Sequence, residues 1–163
     1  MEDLSPETRQ ALIEAAGYRE LDMAGDSAIS LGRIASHESR HPAVLLAWCE
    51  TEAARENWRA TRDRALALTA AAPRLAAGWF WLGYALRRAE SPAAAWRALR
   101  PVVGDFADEP IVDYNFACYA CLDGQLEQAK ASLAKLFASD RKWRQCALRD
   151  EDLAAIRDWL LSQ

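Results

Sequence analysis

Residues 79–85 read Trp79-Phe80-Trp81-Leu82-Gly83-Tyr84-Ala85, and twelve positions after Gly83 stands a second small residue, Ala95. Stepping by 34 in both directions from Gly83 meets Ala15, Cys49 and Ala117, all small. The same step from Ala95 meets Ser27, Thr61 and Ala129. Two further columns are aliphatic: Leu31, Ala65, Leu99 and Leu133, then Ile34, Leu68, Val102 and Leu136. Agreement of four columns over four blocks marks an internal repeat, and a period in this range is the signature of stacked supersecondary units.

Each unit reads as two antiparallel helices. A small residue on each helix lets the backbones approach, and the aliphatic columns, three residues apart, form the stripe that the second helix buries. One such hairpin cannot hide its apolar face, whereas several stacked together can. The blocks run over about 8–41, 42–75, 76–109 and 110–143, with a capping helix expected over about 150–161 to cover the end of the fourth.

On these residues the chain resembles the tetratricopeptide repeat family. The 34-residue period matches, and the third block carries Trp79, Leu82, Gly83, Ala95 and Leu99 at the family spacing. The fourth block has Phe116, Ala117, Gly124, Ala129 and Leu133. Glu14 and Trp48 stand where the first two blocks would usually have Leu. Tyr114 to Cys121 and Ala147 to Leu153 are similar to the segments that close many bacterial arrays of this kind. The resemblance implies an all-α fold, an α-solenoid of about four units in one domain over 1–163, with a concave groove that takes a peptide. It implies a fold more than a function.

Composition agrees with helices. Hydrophobic residues make up 52% of the 163, too many for a disordered chain. Ala, Leu, Arg and Glu dominate, and no strand-like alternation persists. The net charge is −4, and residues 1–41 hold 8 acids against 4 bases. That balance argues against a nucleic-acid partner. The acidic start Met1-Glu-Asp-Leu-Ser-Pro-Glu7 has no apolar run for a signal peptide, and no stretch has the roughly 18 apolar residues of a membrane span. Four cysteines in a chain this long do not read as a disulfide framework. A reducing cytoplasmic setting is the expectation.

Local signals place the helices. Ser5-Pro6 and Ser91-Pro92 each pair a cap with proline at the first helical position, and Asn57 reads as a cap for the second helix of block two. Gly25-Asp26 reads as the first turn, with Asp26 capping a helix that reaches Ser36–Arg40. Asp123-Gly124 turns block four, and Asp150-Glu151-Asp152 puts negative charge at a helix start, where the dipole favours it.

Chemistry-bearing patterns are sparse. Cys118 and Cys121 have metal-site spacing, but no second pair completes four ligands, so small apolar packing is expected. His37 and His41 stand four apart beside Pro42, in an expected loop. No nucleophile arrangement or phosphate loop is legible, so no cofactor, metal or enzymatic activity is expected. Arg55, Arg59 and Arg62 read as a solvated face with ion pairs. The family's inward-facing positions include Arg19 and Glu50 in the first two blocks and Phe80, Tyr84, Arg87 and Tyr114 in the last two; the candidate binding residues are these last four, with Trp81 and Asn115 beside them and Arg88 adding charge for an acidic neighbour. Tyr and Arg carry interface energy most often. The family's clamp for C-terminal carboxylates is not expected, because no lysine precedes Lys130 and only Asn115 matches. The expected function is a protein-interaction module that binds a peptide segment of a protein partner. The rival is a self-associating scaffold, a homo-oligomer pairing through an edge near Leu4, Leu12 and Leu21.

Overall fold

The computed structural model describes residues 4–106 and 108–163; Met1, Glu2 and Asp3 of the acidic start lie outside them. Among these residues there is no strand, and ten α-helices follow one another: α1 (Pro6–Glu20), α2 (Ala24–Gly32), α3 (Pro42–Ala54), α4 (Trp58–Ala71), α5 (Ala76–Ala89), α6 (Pro92–Leu99), α7 (Ile111–Leu122), α8 (Leu126–Ser139), α9 (Lys142–Arg149) and α10 (Arg157–Ser162). Two compact units divide the chain after Ala85, within α5. No helix among the described residues is long and apolar enough to cross a membrane.

The helix starts follow local chemistry. Ser5 Oγ accepts from Thr8 N at 3.2 Å, Ser91 Oγ from Ala94 N at 3.1 Å, and Asn57 Oδ1 from Ala60 N at 3.5 Å. Three helices open on proline, at Pro6, Pro42 and Pro92, where the missing amide costs nothing. His41, expected in a loop, caps α3 with its Nδ1, which accepts from Ala43 N at 3.2 Å. Asp26 is not a cap: α2 starts earlier, behind Met23, and Asp26 lies in its first turn. The reversal falls instead at Asp22, whose φ of 58° is left-handed, a conformation Asp tolerates better than most residues. Nor does α2 reach Ser36–Arg40; it ends at Gly32, and the chain turns through 36–40 before Pro42. In unit two, Gly124 takes the turn after α7 with φ 77°, where a side chain would be strained.

The four repeat columns lie in the interior. Ala15, Cys49, Gly83 and Ala117 are buried on α1, α3, α5 and α7, and Ser27, Thr61, Ala95 and Ala129 on α2, α4, α6 and α8. Of the eight aliphatic positions, seven are buried and Ile34 is half-buried. The polar members of the second column are satisfied. Ser27 and Thr51 share a buried hydroxyl contact at 2.8 Å, and Thr61 Oγ1 donates to Asn57 O at 3.0 Å.

In unit one, α1 packs on α2, α3 on α4, and both helices of the first pair meet α3. Ala15, Leu31 and Ala47 form the contact, with Leu12, Ile34 and Trp48 against it. Gly78 lets α5 close on α4: a Cβ there would stand 3.2 Å from Leu68 Cγ and 3.3 Å from Thr69 Cγ2. Trp79 donates from Nε1 to Pro73 O at 2.9 Å and so ties the α4–α5 loop.

In unit two, α7 is the centre. It packs against α6 and α8, and eight of its twelve residues are buried. After α8 the chain forms α9, a helix that the fading period does not announce. Asp150 then caps a short 3-10 stretch, Glu151–Ile156, that lies on α7 and runs into α10. The expected cap over 150–161 is thus a 3-10 turn followed by a short helix, anchored by Leu153, Ile156 and Leu160, each at most 3% exposed.

Candidate functional site

The predicted site residues separate by unit. Phe80, Trp81 and Tyr84 belong to unit one and are half-buried on α5. At spacings of one, three and four they share one side of the helix. The Phe80 and Tyr84 rings stack at 5.9 Å, and Trp81 meets Phe80 edge-on at 5.1 Å and Tyr84 at 6.0 Å. Trp58, the first residue of α4, adds an edge contact to Tyr84 at 5.6 Å. Sequence reading did not single out Trp58; a Trp directly after a capping Asn was the available signal. Edge-to-face and offset arrangements are the favoured aromatic geometries. The result is one cluster of four rings, each partly open to solvent.

Two other positions expected to face the groove pair with each other. Arg19 of α1 bonds Glu50 of α3 at 2.5 Å and reaches Thr51 Oγ1 at 3.4 Å. Of the arginines expected on a solvated face, Arg55 pairs with Glu52 and Arg62 with Asp63.

Arg87, Arg88, Tyr114 and Asn115 lie in unit two. Tyr114 is 7% exposed, its hydroxyl donates to Asp150 Oδ2 at 2.8 Å, and its ring lies 5.0 Å from that of Trp143. Arg87 is paired with Asp152 at 2.5 Å and stands over the Tyr119 ring. Arg88 is exposed, and its charge acts on Asp152. Asn115 is half-buried, and its Nδ2 is buried with no hydrogen-bond partner among the described residues. Tyr114 and Arg87 are therefore engaged by the chain's own C-terminal segment. The acidic triplet, which reads in sequence only as a helix start, supplies both of their carboxylates.

The same network holds Cys118. Its thiol donates to Asp150 Oδ2 at 3.6 Å, and Asp150 Oδ1 accepts from Asp152 N at 2.9 Å. Sγ of Cys118 and one carboxylate oxygen from each of Asp150 and Asp152 lie within 4.8 Å of one another, and thiolate with carboxylate is a donor set of divalent metals. Arg87 pairs with one of these carboxylates, that of Asp152. Burial, then the two carboxylates, push the Cys118 thiol up, so it stays protonated and donates. Burial also raises Cys121, Tyr114 and Asp152; for Asp152 it outweighs Arg87. Cys49, in unit one, is pushed up to about 12 by burial and by Glu50. A thiol buried in apolar surroundings stays protonated, the weakly nucleophilic form.

A third polar cluster anchors α1. Glu38 accepts from Thr8 Oγ1 at 2.5 Å, from Ser5 N at 2.7 Å and from Ser5 Oγ at 2.8 Å. The Thr8 hydroxyl first, then the Ser5 amide and hydroxyl, lower its pKa to about 2.

Fold and site together define a class, a protein all-helical over its described residues, whose helices pack against their neighbours and carry a cluster of half-exposed aromatic rings on α4 and α5. No family model, curated protein or solved structure matches the chain.

Proposed function

We propose that the chain is a non-enzymatic protein-interaction module of the tetratricopeptide type, and that it binds a peptide segment of a partner protein on the surface built by Trp58, Phe80, Trp81 and Tyr84. One observation carries this reading: four aromatic rings, mutually packed in favoured geometries, are left half-exposed on α4 and α5. Rigid aromatic side chains supply large contact area at low ordering cost, and they dominate interface energetics. The burial of all four small-residue positions on each helix series supports the repeat reading. The state of the polar side chains supports a binding role over a catalytic one. Cys49, Cys118 and Cys121 are held protonated, and His41 spends Nδ1 on a helix cap. A reducing cytoplasmic setting belongs with this reading, since all four cysteines are free.

The test compares capture by wild type, by Phe80→Ala/Tyr84→Ala and by Tyr114→Phe, each checked for helix content by circular dichroism. The identified partner is then titrated calorimetrically. The reading expects the aromatic double variant to lose at least about tenfold in affinity, and Tyr114→Phe, which alters a buried residue of the other unit, to bind as wild type. Undiminished binding by the folded aromatic variant refutes the site.

A further inference from the structure

Helix α9 and the residue before it carry a run of positive charge. Residues 141–149 hold Arg141, Lys142, Arg144 and Arg149 and no acid, in a chain whose net charge is −4. Asp140, next to the run, is already used, since its Oδ1 accepts from Lys142 N at 2.9 Å. Arg141 and Arg144 stand at the i and i+3 positions, a spacing that sets like charges side by side at a cost. Among the described residues neither forms an ion pair.

Both arginines, with Gln145, line a cavity of about 540 Å³. Helix α8 supplies its apolar wall through Ala134, Phe137 and Ala138, which share one helix face. The Phe137 ring stacks on Trp159 of α10 at 6.1 Å, which braces that wall. Gln163 completes the lining, and no Asp or Glu takes part in it. The volume is that of a small-molecule site, and an apolar wall beside a few convergent polar groups is the usual make-up of one.

Arg144 is held in place without a counter-ion. It is half-buried, and its Nη2 donates to Leu160 O at 3.3 Å and Leu161 O at 3.5 Å. Those carbonyls at the end of α10 offer only partial negative charge. Nε is buried with no hydrogen-bond partner, which leaves Nη1 for a ligand. Arg141 is exposed, and its guanidinium is unbonded among the described residues. Two guanidinium groups on one cavity match a carboxylate, whose two oxygens each accept charge-assisted hydrogen bonds. The α8 wall then needs an apolar group on the same ligand.

We propose that the cavity between α8 and α9 binds a small organic carboxylate with an aromatic body, its carboxylate between Arg141 and Arg144 and its ring against Phe137. The ligand brings the negative charge that the two arginines lack. The site belongs to unit two, whereas the aromatic cluster belongs to unit one, so neither binding role depends on the other.

Titration of the full chain with 3-phenylpropanoate, followed by amide NMR shifts, tests this. Saturable binding with a Kd below about 1 mM is expected for a ligand of that size. Acetate lacks the ring and 3-phenylpropan-1-ol lacks the charge, so each binds at least about tenfold more weakly. Arg141→Gln, at an exposed position, weakens binding about tenfold or more. Ala138→Glu, also exposed, places an internal carboxylate one turn from Arg141 and abolishes binding, with helix content by circular dichroism unchanged. No saturable binding below about 1 mM, equal binding of either control compound, or indifference to Arg141→Gln or to Ala138→Glu overturns the proposal.

Discussion

Asp150 carries the attachment of the C-terminal segment to α7, and its removal has a cost that the geometry divides into parts. Its carboxylate caps the 3-10 stretch at Asp152 N and accepts from the Tyr114 hydroxyl at 2.8 Å. Asp150→Ala removes the cap, at about 1 kcal/mol. It also strands the hydroxyl of a side chain that is 7% exposed, at about 1–3 kcal/mol. The sum is about 2–4 kcal/mol. In a Tyr114→Phe background no phenol hydroxyl is left to strand, so Asp150→Ala there costs the cap, about 1 kcal/mol, and the weak Cys118 thiol bond, which is lost equally in both backgrounds and cancels from the cycle. The coupling in the double-mutant cycle is therefore about 1–3 kcal/mol. Urea unfolding read by far-UV circular dichroism and by tryptophan fluorescence measures all four corners, and Trp143, whose ring lies beside that of Tyr114, is a local reporter. Asp150→Asn keeps an acceptor and a cap, and it should cost less than Asp150→Ala. Equal cost for Asp150→Ala in the two backgrounds would refute the assignment of the hydrogen bond as the anchor.

Three other outcomes follow from the same geometry. The Glu38 pKa is depressed from 4.5 to about 2, so its stabilisation of α1 is complete above the ordinary value and is lost as pH falls through about 2; Glu38→Gln should reduce the dependence of helix content on pH in that window, and an unchanged acid profile counts against the anchor. Gly78→Val should destabilise by about 1–3 kcal/mol through overpacking, because its Cβ position is already within 3.3 Å of Leu68 and Thr69; a thermal melt like that of wild type would contradict the close α4–α5 approach. In the folded protein a thiol reagent should modify the exposed Cys146 alone, and denaturation should release Cys49, Cys118 and Cys121; peptide mass mapping that finds fast labelling at Cys118 would show that its thiol is not locked to Asp150.

Much of this architecture was legible because the repeat columns record burial. A position that must be small at every helix crossing leaves a trace at constant spacing, and Ala15, Cys49, Gly83 and Ala117 all lie in the interior. Caps were legible where serine or asparagine precedes the helix, as at Ser5, Asn57 and Ser91. The cap at His41 was not, because a histidine rarely signals that role. The early end of α2 does carry a signal, Gly32 at its last position, a residue that commonly stops a helix. In the candidate site, proximity along one helix made Phe80, Trp81 and Tyr84 readable together, whereas Trp58 joins them from a different helix.

The sequence by itself determined that the chain is helical, where most helices begin, and which small residues the helices close upon, because those properties depend on spacing of a few residues or on a fixed period. The tertiary structure decided what each polar and aromatic side chain is used for. Tyr114 and Arg87 look like binding residues in a list, yet they are taken by Asp150 and Asp152 from a segment over thirty residues away. Ile13 and Ile29 look like core residues, yet they face solvent beside glycines. Partners brought together by chain reversal leave no periodic mark, so only the fold could assign them.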